Sequence, residues 1–450
     1  MLSTGYTFSP GRFFVLTVWL LLGSSLAALA ALAAEPSFTI PKPSSEHENL
    51  ARRLAASLDQ RANLQTGLSL SYMGDESIIA RNGAQIYDTG LRLLADSRFS
   101  AQIIQTFARN NAAAANPEMP QTLASQFSPA NGIYSWIRIE GFDQPGWWNN
   151  WEWSVKTGEN AWLGKGALYF FRASHDPLAL KFAKERAEFI LALQDEDGGI
   201  RIGPRGLADD FWWQRKSTEN NESALSFLDD LARTTGEKRY QKAADRIYAW
   251  LVTIYDRENH VFRRGEVEKD GQWRKDGVGD FAADTTSWVP IERILQDAHF
   301  GTDRRERLAE IGKMMAATLE LTGVMSGNNL AGISYSPRSK KAGVISLEWS
   351  SQYALLCLRL AKEYHWEGDM AKAGIYYRQY ADLVQRLLGY LKEKSGERLA
   401  AHAVYADGRV AAGEPMWDEV ALTPRAFLSA ASHLYIGFAL KGLDPLRLVD

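Results

Sequence analysis

Apolar residues recur at i, i+3, i+4 and i+7 along nearly the whole 450-residue chain, a spacing that predicts helices with one buried face. Twelve such stretches alternate with connections that are short, then long, then short again. Six of them carry Lys, Arg and Glu on one side and read as surface helices: Glu46 to Gln60, Ser97 to Asn110, Pro177 to Gln194, Lys238 to Tyr255, Arg304 to Leu321 and Asp369 to Leu391. The other six are richer in Ala, Ser, Leu and aromatic residues and read as buried on more than one side. Five of these open on an acidic residue, at Tyr87-Asp88, Glu159-Asn160, Glu219-Asn220, Asp284-Thr285 and Glu348-Trp349. The acids lie 71, 60, 65 and 64 residues apart, a supersecondary period. The sixth stretch, Ala426 to Leu440, has no leading acid. Short connections such as Ser174-His175-Asp176 and Thr235-Gly236-Glu237 force antiparallel neighbours. Six buried helices inside six amphipathic ones make an all-α (α/α)6 toroid with its long connections on one face.

Composition agrees with a large core, at 46% hydrophobic and 23% charged residues. The formal net charge is −3 with no long basic run, which argues against nucleic acid as a partner. At the N-terminus, Arg12 precedes the apolar stretch Phe13 to Leu22, and Ala31-Leu32-Ala33 stands before Ala34-Glu35-Pro36. That order matches a secretory signal peptide cut after Ala33 or Ala34. The expected organisation is a signal peptide over 1–34, a Pro/Ser-rich linker over 35–45 and the toroid over 46–450, in the periplasm or secreted. The alternative is a membrane anchor over 13–34, which is about long enough to span a bilayer. The single cysteine, Cys357, falls within a buried stretch and has no partner for an internal disulfide.

Tryptophan is concentrated where the long connections fall. Trp147, Trp148, Trp151 and Trp153 precede the second leading-acid helix, interleaved with Asp143, Asn149, Asn150 and Glu152. Trp212 and Trp213 precede the third. Exposed indoles gain nothing unless something covers them, and sugar rings offer flat C–H faces that stack on indole. Any single one of these tryptophans is better read as packing its loop onto the ring, but the set favours a saccharide cleft. Glu159, Asn160, Asn220, Trp288 and Trp349, at the helix starts, complete the candidate binding surface. One acid in a first helical turn means little, since it favours the helix dipole anywhere. Five brought to one end of a ring shift one another's pKa values, leaving one protonated and one ionised, as glycosidic cleavage requires. Glu219 is the first candidate for the general acid. Asp88 is its candidate partner, with Tyr87 placed to orient it, and Asp284 and Glu348 stand in reserve. Asp209, Asp210, Asp280, Asp418 and Glu419 are further acids of the long connections. No metal or cofactor motif is present.

The Tyr87-Asp88 start, the Thr157 to Trp162 run (TGENAW), Ser217 to Asn221 (STENN) and Leu231 to Tyr240 (LARTTGEKRY) together resemble the six-hairpin glycosidase superfamily. The resemblance covers nearly everything after about residue 46, and extends to bacterial secreted proteins of that fold, several of which accompany polysaccharide metabolism. It implies a carbohydrate-active enzyme but does not choose among hydrolases, lyases, epimerases and phosphorylases. A glycoside hydrolase acting on an extracytoplasmic polysaccharide or oligosaccharide is the first expectation. A non-catalytic glycan-binding ring for polysaccharide export or retention is the alternative. The resembling epimerases use histidines, and His402 and His433 keep that chemistry open. The run Gln194 to Gly199 (QDEDGG) is similar to the Q-D-x-D-G-G turns of terpene cyclase rings, but it occurs once, at a helix end.

Overall fold

The computed structural model describes residues 38–74, 83–109, 132–139, 154–206, 210–417 and 422–447. Twelve helices build the ring within these residues. In chain order the first six are α1 (Ser45–Gln60), α2 (Ile86–Leu94), α3 (Ser100–Arg109), α4 (Thr157–Ser174), α5 (Pro177–Ala192) and α6 (Thr218–Thr235). There follow α7 (Lys238–Ile254), α8 (Asp284–Ser287), α9 (Arg304–Thr322), α10 (Leu347–Trp366), α11 (Met370–Tyr390) and α12 (Ala430–Lys441). The even-numbered helices form the inner ring, each packing on the next, and α12 closes on α2. The odd-numbered helices lie outside, α1 against α12, α5 against α4, α7 against α6 and α11 against α10. This is the all-α (α/α)6 toroid.

Local chemistry sets most helix boundaries. The side chains of Ser44, Asp176, Ser217, Asp303, Ser346, Asp369 and Ser429 each accept a first-turn amide as N-caps. Pro177 occupies the first position of α5, where its missing N–H is harmless. The helices α2 and α4 pack closely because glycines face each other. A Cβ at Gly90 would fall 2.6 Å from the Trp162 carbonyl, and one at Gly166 would fall 2.6 Å from the Gly90 carbonyl oxygen.

Two inner helices differ from the sequence expectation. The fourth is a single turn, because Pro290 lacks an N–H and disfavours helix at Val289; the chain resumes as another turn at Ile291–Ile294. The sixth begins at Ala430 rather than Ala426, since Leu428–Ser429 is drawn into an antiparallel pair with Tyr72–Met73 that joins the two ends of the ring.

Short antiparallel strands occupy the long connections. The one used below is a three-stranded sheet of β1 (Arg215–Ser217), β2 (Gly265–Lys269) and β3 (Gln272–Lys275), ordered β1-β2-β3. In five of the six hairpins a polar side chain near the start of the inner helix ties down a buried backbone group of the connection before it. Asn160 accepts the Ile133 amide at 2.9 Å and donates to its carbonyl at 3.0 Å. Asn221 does the same for Ile200 at 2.8 and 3.0 Å, and Ser350 for Ile333 at 2.8 and 3.4 Å. Thr285 donates to the Phe262 carbonyl at 3.3 Å, and His433 Nδ1 accepts the Ala400 amide at 3.3 Å. Buried backbone groups must be satisfied, and these side chains hold each connection onto its helix start.

At the other end of the ring, the buried Lys165 ammonium contacts Asp230 Oδ2 at 2.5 Å and the Leu446 carbonyl at 2.7 Å. This contact fixes the C-terminal segment beneath the inner helices. The QDEDGG run is a turn after α5 that supplies Asp195 and Asp197 to the fully buried Lys216, at 3.2 and 2.5 Å. Its role in this fold is therefore to balance a buried charge.

Candidate active site

All five leading acids line one cavity of about 420 Å³ at the end of the ring that carries the long connections. Each stands in the first turn of its inner helix, so the common direction of those helices brings Asp88, Glu159, Glu219, Asp284 and Glu348 together. Burial pushes the Asp88 carboxyl up to about 7; the Ser71 hydrogen bond and Arg92 oppose this, and the Glu159 charge adds to it. Burial likewise lifts Glu219 to about 7, helped by Glu159 and opposed by Lys156. Glu348 reaches about 8 through burial, with the Asp88 and Glu219 charges pushing the same way and the Tyr87 hydroxyl holding it down. Asp284 is raised by burial and then by the Glu219 and Glu348 charges.

The hydrogen bonding differs from one acid to the next. Tyr87 donates to Glu348 Oε1 at 2.6 Å and Gln352 donates to the same oxygen at 3.0 Å. Tyr87 therefore orients the carboxyl of Glu348, not that of its neighbour Asp88. Asn220 donates to Glu219 Oε2 at 2.9 Å while its own Oδ1 accepts the Gly158 amide at 2.6 Å, tying Glu219 to the start of α4. Lys156 Nζ lies 3.2 Å from Glu159 Oε1. Asp88 Oδ2, Glu159 Oε2 and Asp284 Oδ1 have no hydrogen-bond partner among the described residues.

Aromatic groups complete the walls. Trp212 is flanked by Phe211, with ring centres 4.8 Å apart, and by the Lys156 ammonium at 4.8 Å. Trp349 packs edge-on against Tyr335 at 5.0 Å and lies 6.0 Å from Trp417. Beneath the acids, Tyr87, Trp162 and Trp288 form a cluster with centres 5.2 to 6.3 Å apart.

Of the sequence candidates, Asp88, Glu159, Glu219, Asp284, Glu348, Asn220, Trp212, Trp288 and Trp349 all line the cavity. Asn160 does not: it is fully buried and spent on Ile133, which leaves none of its polar atoms for a ligand. Trp213 also lies off the cavity, sandwiched against Arg201 and Arg205 at 4.1 and 4.7 Å. Asp210 caps the Gly206 amide, and Asp280 is not a lining residue. Trp147, Trp148, Trp151 and Trp153, with Asp143, Asn149, Asn150, Glu152, Asp209, Asp418 and Glu419, fall outside the described residues. His402 lines the cavity, whereas His433 is buried behind it. Both ring nitrogens of His402 lack a partner among the described residues, and burial lowers its pKa to about 4, so the imidazole is neutral.

Trp417 and Glu222 are among the groups that escaped the sequence reading. Trp417 gave no signal beyond its residue type. Glu222 had one: it stands one turn after Glu219, on the same face of α6. It is buried, both its oxygens lack partners among the described residues, and burial with the Asp284 and Glu219 charges raises its pKa. It lines a second cavity of about 310 Å³, which shares Trp288 with the first.

No protein-family model and no curated protein matches the sequence. Solved structures do. A sugar epimerase from a ruminal bacterium superimposes with a TM-score of 0.60 over 89% of this chain and 99% of its own, at 12% identity. A cellobiose 2-epimerase from Bacillus thermoamylovorans gives 0.57 over 88% and 99%, at 11% identity. An α-1,6-mannanase from a Salegentibacter species gives 0.51 over 89% and 100%, at 14% identity. The chain has the six-hairpin glycosidase fold.

Proposed function

We propose that the protein is a carbohydrate-active enzyme that cleaves a glycosidic bond in the acid-lined funnel. The observation that carries this reading is the convergence of five first-turn carboxyls, three of them with pKa values near 7 to 8, in one aromatic-walled cavity. A carboxyl still protonated near neutrality can give its proton to the leaving oxygen, while an ionised neighbour acts as base or nucleophile. Glu219 is the acid in this proposal, oriented by Asn220. Glu159 suits the base or nucleophile role better than Asp88, because the Lys156 ammonium stands beside it, whereas burial, with a smaller push from Glu159, raises Asp88 and Glu219. Trp212 and Trp349 offer stacking surfaces to the sugar rings. The Salegentibacter mannanase has also been solved, as an inactive variant, with an α-1,6-mannotetraose, which supports a saccharide as the ligand here.

The experiment is a glycan panel incubated with the purified protein, followed for release of reducing ends. Glu219→Gln should fold normally and lose at least about 100-fold in turnover. Wild-type turnover in that variant would remove Glu219 from the mechanism. The neutral His402, whose ring nitrogens have no hydrogen-bond partner among the described residues, favours a second reading, sugar epimerisation, in which a base removes a proton from a sugar carbon. Incubation in D2O separates the two: epimerisation places deuterium on carbon, and hydrolysis does not. If the protein binds glycans but does neither reaction, both readings fail.

The leader-like pattern of residues 1–34 supports an extracytoplasmic location and a polymeric or oligomeric substrate there. N-terminal sequencing of the exported protein should begin at Ala34 or Glu35. Retention of residues 13–34 in a membrane fraction would instead assign that segment as an anchor.

A further inference from the structure

Among the described residues, four cationic side chains line the funnel: Lys156, Arg215, Lys216 and Arg264. Three of them are already matched by carboxylates. Lys216 meets Asp195, Asp197 and Glu266 at 3.2, 2.5 and 3.3 Å, Arg264 faces Asp276 at 3.7 Å, and Lys156 pairs with Glu159 at 3.2 Å. Arg215 makes no ion pair among the described residues. Its guanidinium instead lies over the Phe211 ring, 4.2 Å from the centre. Stacking covers one face of the plane and leaves the N–H edge available, the geometry in which a guanidinium grips an oxyanion with two parallel hydrogen bonds.

The backbone around Arg215 is fixed. Its carbonyl accepts the Ile202 amide at 2.9 Å, the preceding Gln214 carbonyl accepts the Glu268 amide at 2.8 Å, and the residue is paired with Val267 across β1 and β2. Arg264 enters the same sheet one step beyond the Ser217–Gly265 pair, so this wall presents two guanidinium groups. The Arg215 guanidinium is half-buried, and its N–H groups stay open to a ligand in the funnel. The acids at the base of the funnel do not forbid an anion, because burial holds Asp88, Glu219, Asp284 and Glu348 toward their neutral forms. The remaining lining acids, Glu159, Glu266 and Asp276, each lie against one of the matched cations.

We propose that the funnel takes an acidic saccharide, one bearing a carboxylate or another oxyanion, and that Arg215 on the β1–β2 wall holds that group. The proposal rests on the carbohydrate reading above and narrows its substrate class. The test is calorimetric binding of the mature protein to length-matched neutral, uronate-containing and sulfated oligosaccharides, at low salt and at 0.3 M salt. An acidic series should bind at least about tenfold tighter than the neutral one, with the preference shrinking in salt. Whichever of the uronate and sulfated series binds tighter identifies the oxyanion. Arg215→Gln should abolish the preference with only a small drop in melting temperature, because the guanidinium loses its stacking on Phe211 but no ion pair. Arg215→Lys should restore part of it. Equal binding of neutral and acidic ligands, or an equal weakening of both in Arg215→Gln, would overturn the proposal and leave the carbohydrate reading standing. Absence of binding to every series would overturn both.

Discussion

Replacing Asp88 by Asn tests the electrostatics of the funnel without relying on a known substrate. The exchange keeps size and shape and removes only the titration. In the folded protein the Asp88 carboxyl is raised from 3.8 to about 7, chiefly by burial. A carboxyl whose folded pKa lies above its unfolded value binds its proton more tightly in the folded state. Its contribution is therefore most favourable below the unfolded pKa, near 4, and is lost as pH rises until the folded group ionises near 7. About three pK units correspond to roughly 4 kcal/mol. Part of the shift comes from Glu159, which can relax, so the expected change is about 2–4 kcal/mol. Asp88→Asn has no such loss. Its stability relative to wild type should improve by that amount between pH 4 and pH 8, several degrees in Tm at roughly 2 °C per kcal/mol. Paired thermal and urea melts across this range make the measurement. A difference between variant and wild type that does not change with pH would show that Asp88 is not raised. A difference that grows in favour of wild type as pH rises would show that Ser71 and Arg92 hold Asp88 ionised.

Two further variants probe the supports of the site. Asn160→Ala leaves the Ile133 amide and carbonyl buried without partners and should lower stability by about 2–4 kcal/mol in urea melts; unchanged stability with weakened ligand binding would return Asn160 to the substrate surface. Tyr87→Phe removes the hydroxyl that holds Glu348 down, so the Glu348 pKa should climb above about 8. Because the lost hydrogen bond is stronger to the ionised form, melts should show about 1 kcal/mol of destabilisation at pH 5 and about 2–3 kcal/mol at pH 9. An effect independent of pH would mean that Tyr87 acts by packing alone.

Helix identity, the inner and outer roles and the placement of five acids at one end of the ring were all legible in the sequence. Each depends on short-range physics: a 3.6-residue period, capping residues and the length of the connections. The hairpin period then carries local order around the ring. Other features depend on residues far apart in the chain, and no local pattern announces them. Tyr87 and Glu348 meet across 261 positions. Asn160 turns from a plausible ligand into a backbone anchor because Ile133 needs its hydrogen bonds in a dry interior. Pro290 reduces the fourth inner helix to one turn, and pairing with Tyr72–Met73 delays the start of the sixth. Asp88, Glu219, Asp284 and Glu348, too, acquire raised pKa values only when ring closure takes them from water and sets their charges against one another. Charge and burial at a point are sums over everything packed around it, so the sequence determined where the carboxyls stand, and only the closed ring decided what each can do there.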